Sequence, residues 1–122
     1  MPEKTRASRR YLIAECDKLF RILIRERSRG LCEMCSLKGE HVHHIIKRRY
    51  LRYRWVKRNG MMLCPSCHQN AEEKQNSFLD MLRIYHSKIW QWYQQSKHCD
   101  EAGTISTSWI MAIREELKGL AK

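Results

Sequence analysis

Val42-His43-His44-Ile45-Ile46 is the stretch on which the fold turns. It is short, β-branched and bounded by polar turns, which predicts a strand. A cysteine pair stands on either side: Cys32-Glu33-Met34-Cys35 before it and Cys64-Pro65-Ser66-Cys67 after it, with His68 directly following. Each Cys-x-x-Cys reproduces the bite of a tetrahedral zinc site, so four thiolates specify one closed, structural Zn²⁺. Histidines facing each other across a short hairpin specify something different, an open and reactive metal. The 28 residues between Cys35 and Cys64 exceed a zinc-ribbon gap, so a further element is inserted between the knuckles.

Six cysteines without a signal-peptide-like N-terminus argue for metal rather than disulfides. Cys16 and Cys99 stand outside the pattern and read as small core residues. No apolar run approaches the ~20 residues that span a bilayer, so a cytoplasmic protein without membrane contact is expected. A hydrophobic fraction of 43% excludes a disordered chain, and 122 residues suit one domain. We divide it into a basic helix over 1–30, a zinc and metal core over 31–76, and a helical extension over 77–122.

The net charge of +11 is concentrated. Residues 1–30 hold nine Lys/Arg against four acids, and 47–58 hold seven against none. Such clustering predicts a polyanionic partner, because each neutralised phosphate releases counterions. Within 47–58, Lys47, Arg48, Arg49, Arg52, Arg54, Lys57 and Arg58 are interleaved with Tyr50, Tyr53 and Trp55. Arginine forks fit phosphate bidentately, so this segment is expected to position nucleic acid rather than read its sequence. The aromatics are expected to pack the loop against the helices.

Around this centre the periodicities predict helices. Leu12, Cys16, Leu19, Phe20, Leu23 and Ile24 give one apolar stripe from Ser8, a candidate N-cap, to Ser28. Gly30 ends the helix, while Arg25, Arg27 and Arg29 read equally as dipole compensation and as DNA contacts. Met61-Met62-Leu63 predicts a second strand, and Pro65 opens a helix through Lys74. One long helix is expected from Ser77, a capping-box position, burying Leu79, Leu82, Tyr85, Ile89, Trp92 and Tyr93. A last helix starts near Ser106 or Thr107, with Ile110, Ile113, Leu117 and Leu120 inward. His41, His86 and His98 read as surface or packing residues.

Taken in order, Cys-x-x-Cys, Val-His-His-Ile, Asn59 and Leu-Cys-x-x-Cys-His resemble the HNH endonuclease family from Cys32 to His68. The flanking helices and the Arg-Tyr…Arg-Trp segment are similar to small phage-encoded nucleases of the recombination type. The resemblance implies an α+β fold with a ββα-metal, treble-clef-like centre and a four-cysteine zinc knuckle pair. It implies His44 as general base, Asn59 as the residue that orients it, and His43, His68 and Glu72 as ligands of a catalytic Mg²⁺ or Mn²⁺. For His43 and His44 to serve one site, the strand is expected to bend or bulge, since neighbours in a strand face opposite ways. Val56-Lys57-Arg58 replaces the acidic residue that related phage proteins carry before the asparagine. The implied activity is metal-dependent DNA hydrolysis in a bacterial host, with phage recombination or packaging proteins as further partners. The alternatives are a non-catalytic zinc module that binds nucleic acid and an adaptor for a larger phage machine.

Overall fold

A computed structural model describes residues 8–97 and 105–121. His98 and Cys99 lie outside the described residues. Helix α1 spans Arg9–Ser28, and the Ser8 hydroxyl caps it by accepting from the Tyr11 N–H at 3.1 Å. Its stripe Leu12, Cys16, Phe20, Leu23 and Ile24 is buried as the periodicity predicts. The helix ends one residue before Gly30: Arg29 takes the left-handed region at φ 57°, followed by Gly30 at φ 76°. Their N–H groups return to the Glu26 and Arg25 carbonyls, a Schellman closure.

Strand β1, His41–His44, pairs antiparallel with β2, Gly60–Leu63, in the register His41–Leu63, Val42–Met62, His43–Met61, His44–Gly60. The expected strand reached Ile46. Ile45 and Ile46 leave the ladder because Asn59 takes over their backbone. The Asn59 carbonyl accepts from Ile45 N–H at 2.9 Å. The Asn59 side chain accepts from Ile46 N–H at 2.6 Å and donates to Ile46 C=O at 3.0 Å. Between the strands lie a four-residue helix α2, Leu51–Arg54, and a 3₁₀ turn at Lys57–Asn59.

Helix α3, Pro65–Glu73, follows β2 at once, with Pro65 in its first turn. The one long helix expected after it is two: α4, Gln75–Tyr85, and α5, Ser87–Ser96. Ser77 therefore lies inside α4 rather than capping it. The break falls at His86, with φ −137° and ψ 61°, where the imidazole Nε2 sits 2.7 Å from the Glu33 carbonyl of the first knuckle. Leu82 is buried as expected, but the break turns Tyr85 outward to 67% exposure. Helix α6, Thr107–Leu120, is capped by the Ser106 hydroxyl at 3.1 Å from Trp109 N–H. Ile110 and Leu117 point inward; Leu120, expected there too, is 52% exposed.

Two apolar clusters share the hairpin. Met62 joins the α1–α6 cluster with Trp55, while Met61 and Leu63 join Cys32, Ala71, Phe78 and Leu82 around α3 and α4. This alternation along β2 is the period of a strand buried on both faces. The fold is thus α+β: a two-stranded hairpin and α3 at the centre, a four-cysteine cluster beside them, and helices before and after. No helix among the described residues is long and apolar enough to cross a membrane.

Candidate metal centres and active site

Cys32, Cys35, Cys64 and Cys67 bring their sulfurs within 4.8 Å of one another. A tetrahedral site with Zn–S of about 2.3 Å needs sulfurs about 3.8 Å apart, and Cys35 and Cys64 stand at 3.6 Å. One of the four donors is already predisposed to ionise. Burial opposes ionisation of Cys32, but backbone N–H groups, including those of Met34 and Cys35 at 3.4 Å, outweigh it and bring the thiol down to about 7. Burial and the neighbouring thiols hold Cys67 protonated well above the ordinary range. Four sulfurs so close cannot all ionise unaided, whereas a dication would let them. The cluster fits Zn²⁺.

A second cluster forms between β1 and α3. Ligand atoms of His43, His68 and Glu72 also lie within 4.8 Å of one another. Glu72 Oε1 is 3.6 Å from His43 Nδ1 and 3.4 Å from His68 Nε2. One helical turn separates His68 from Glu72, which sets both on the face of α3 turned to the strand. Phe78 packs edge-on against the His43 ring at 5.2 Å. Burial pushes His43 down to about 4, against the pull of the Glu72 charge, so its imidazole is neutral and free to donate a lone pair. Two imidazoles and a carboxylate form a donor set for a divalent cation with open positions.

His44 points the other way. Its ring stacks on Phe20 of α1 at 5.5 Å, in the space opposite Gly60. A Cβ on Gly60 would stand 2.6 Å from the Phe20 ring, so glycine permits this approach. The expected bend or bulge is absent, since all four pairs are regular. Instead a cavity of about 830 Å³ is lined by both faces of β1, so His43 and His44 open into one space without distorting the strand. His44 Nε2 lies 3.0 Å from the Arg54 carbonyl. A carbonyl only accepts, so Nε2 carries the proton and Nδ1 is left with the lone pair. Nδ1 is buried and has no hydrogen-bond partner among the described residues. Burial pushes His44 down to about 4, leaving it neutral near pH 7.

Asn59 is fully buried and places three hydrogen bonds on the loop, two to Ile46 and one to the Tyr53 carbonyl at 3.0 Å. The basic segment does not act as one surface. Lys47 and Arg48 line the large cavity. Arg49 lies over the Tyr50 ring at 5.0 Å. Arg52, Lys57 and Arg58 line a separate cavity of about 390 Å³ that includes Trp92 and Trp109. Arg54 departs from its expected role: its guanidinium forks onto Asp17 at 2.9 and 2.7 Å, and its side chain is 14% exposed. Trp55 is buried and Tyr53 packs edge-on to Trp92 at 6.0 Å, as expected of loop-packing aromatics.

The sequence reading missed three features of the cavity. Arg21 of α1 lines it beside Arg25, and neither guanidinium has a partner among the described residues. Their i, i+4 spacing on the flank of the Phe20 stripe was a readable signal. Asp17 also lines it, with no cue in the sequence. His41, read as bland, stacks on His68 at 4.8 Å, and its alternation with His43 was the available cue.

Residues 32–74 match the family model of HNH endonuclease, about a third of the chain and the stretch that carries both cysteine pairs, His43, His44, Asn59, His68 and Glu72. No curated protein and no solved structure matches the chain.

Proposed function

We propose that the protein is a metal-dependent endonuclease that hydrolyses phosphodiester bonds of DNA. The observation that carries this reading is a neutral His44 whose buried Nδ1 has no partner among the described residues, on a residue that lines the same cavity as His43, His68 and Glu72. HNH endonucleases as a family act on DNA with a metal, and residues 32–74 match that family. A non-catalytic zinc module would give none of these four side chains a task.

The roles follow from the chemistry of each group. His44 Nδ1 accepts a proton as a water oxygen attacks phosphorus, and the bond from phosphorus to the 3′ oxygen breaks. A 5′-phosphate and a 3′-hydroxyl result, the latter taking its proton from solvent. Nε2 stays bound to the Arg54 carbonyl throughout, so the ring neither rotates nor changes tautomer before the step. Asn59 fixes the loop that bears that carbonyl. His43, His68 and Glu72 would hold a divalent cation, Mg²⁺ or Mn²⁺, which supplies Lewis-acid polarisation of the phosphate and charge stabilisation at the leaving oxygen. The carboxylate favours such a hard cation over Zn²⁺ at this position.

The DNA backbone is read as crossing the cavity rim between α1 and the loop after β1, on Arg21, Arg25, Lys47 and Arg48. Arg49 stays available beside Tyr50; Arg52, Lys57 and Arg58 would meet a more distant stretch of nucleic acid. Arg54 is removed from the contact set. Residues 1–122 act as one unit in this reading, in the cytoplasm of a bacterial host. Phage or prophage encoding, with recombination or packaging partners, is supported by the helix-flanked Arg-Tyr…Arg-Trp segment. The test is nicking of supercoiled plasmid with Mg²⁺ or Mn²⁺. Wild type should nick, and His44→Ala should lose cleavage while keeping DNA affinity; undiminished cleavage by His44→Ala would remove the mechanism.

A further inference from the structure

His44 is held by a backbone carbonyl, and a carbonyl is only as fixed as the chain that bears it. The Arg54 carbonyl ends α2, a helix of four residues that is too short to be stable alone. What anchors it comes from α1, 37 residues earlier. Asp17 Oδ1 accepts from Arg54 Nε at 2.9 Å and from Trp55 Nε1 at 2.8 Å, while Oδ2 accepts from Arg54 Nη2 at 2.7 Å. Arg54 and Trp55 are the two residues joined by the peptide that contains this carbonyl. One carboxylate therefore grips the peptide from both sides. Arg48 adds a fourth donor at 3.3 Å, and Arg54 Nη1 donates to the Arg48 carbonyl at 3.3 Å, closing the ring.

We infer that Asp17 is a positioning residue for His44. It fixes the Arg54–Trp55 peptide, the peptide fixes the Nε2–H tautomer, and the tautomer leaves the lone pair on the unpartnered Nδ1 of a residue that lines the cavity. The effect on cleavage rests on the reading of His44 as the base, whereas the effect on the tautomer rests on geometry alone. Asp17 does not act as a competing base itself, because both its oxygens are occupied and two guanidinium groups match its charge. Its removal should also have an opposite effect on binding, since Arg48, which lines the cavity, would then carry unmatched charge.

The test uses the full chain loaded with zinc, as wild type, Asp17→Ala, Asp17→Asn and Trp55→Phe. Imidazole ¹⁵N chemical shifts report the tautomer of His44. Wild type should give the Nε2–H form, and Asp17→Ala a mixture containing Nδ1–H, with hairpin amide shifts and zinc content retained. Plasmid nicking with Mn²⁺ should then show kcat reduced roughly ten- to hundredfold, a part of what a placed base contributes. KM should stay level or fall. Asp17→Asn should lie between wild type and Asp17→Ala. Should Asp17→Ala fail to fold, Trp55→Phe removes one of the four donors and should move tautomer and kcat the same way by less. A lower melting temperature with tautomer and kcat per folded molecule unchanged would overturn the inference. A wild type that fails to nick in the presence of Mg²⁺ or Mn²⁺ would sink the nuclease reading, and the tautomer comparison would still decide the clamp.

Discussion

Asn59 directs both polar atoms of its buried amide at the loop between the strands, and nothing of the side chain reaches solvent. Replacing it leaves the Ile46 N–H and the Ile46 and Tyr53 carbonyls without their partner. We predict that Asn59→Ala costs about 2–4 kcal/mol in urea unfolding, the range for a few buried groups left unsatisfied. Asn59→Asp should be no better, because it keeps the acceptor but loses both donors. At the second cluster, Glu72 places its carboxylate between the imidazoles of His43 and His68. Glu72→Ala should weaken Mn²⁺ binding by at least about tenfold in calorimetric titration, while the melting temperature of the metal-free protein stays near wild type because the carboxylate is exposed. Equal Mn²⁺ affinity in the two proteins would remove Glu72 from the ligand set. Asp17 supplies a pH test. Burial alone would raise its carboxyl, but hydrogen bonds from Arg54 and Trp55 and the charges of Arg54 and Arg48 prevail and hold it below the ordinary range. A depressed carboxylate stabilises the fold fully above its unfolded value near 3.9, and that stability is lost as pH falls through the lower folded value. Between pH 5 and pH 3 wild type should therefore lose melting temperature faster than Asp17→Asn.

The hairpin is where element geometry becomes chemistry. A regular strand puts His43 toward α3 and His44 toward α1, and the common cavity reconciles them without a bulge. The close packing of Phe20 on Gly60 sets the distance between α1 and the hairpin. We predict that Gly60→Ala forces the Phe20 ring aside and costs about 1–3 kcal/mol, as overpacking does. Its nicking rate should fall as well, because the ring it displaces supports His44. A melting temperature unchanged in Gly60→Ala would contradict the packing described. The elements legible in the sequence were those set by neighbours in the chain: Ser8 and Ser106 as caps, the α1 stripe, Pro65 opening α3. The break at His86 was not legible, because its partner is a knuckle carbonyl 53 residues away. For the same reason strand β1 ended early, since the contact that strips Ile46 from the ladder lies 13 residues on.

At the scale of the whole molecule, the two candidate metal centres share α3. Cys67 and His68 are adjacent, so the zinc cluster fixes the start of the helix that carries His68 and Glu72. Stripping zinc with a chelator should loosen the hairpin and abolish nicking even with Mn²⁺ present, measured by circular dichroism and plasmid assay. Charge at this scale was only partly legible. Composition located a basic segment, but its basic residues separate in space: Lys47 and Arg48 on the large cavity, Arg52, Lys57 and Arg58 on another, Arg49 over the Tyr50 ring, and Arg54 folded inward onto Asp17. Arg21 and Arg25 take that place from another element. Their joint replacement by Ala should reduce the salt slope of DNA binding by nearly 2, at roughly 0.9 per phosphate. The grouping of the four cysteines, and of His43, His68 and Glu72, was legible because spacing within a hairpin and one helical turn fixes it, whereas tertiary pairing of charges is not a local property.

Pulsed electron paramagnetic resonance of bound Mn²⁺ addresses the cation and its ligands at once. With histidine labelled by ¹⁵N, wild type should show hyperfine coupling to imidazole nitrogen, reduced in His43→Ala and in His68→Ala and unchanged in His44→Ala. Coupling that disappears in His44→Ala, or that survives loss of both His43 and His68, would contradict a cation held between β1 and α3 with the base standing free beside it.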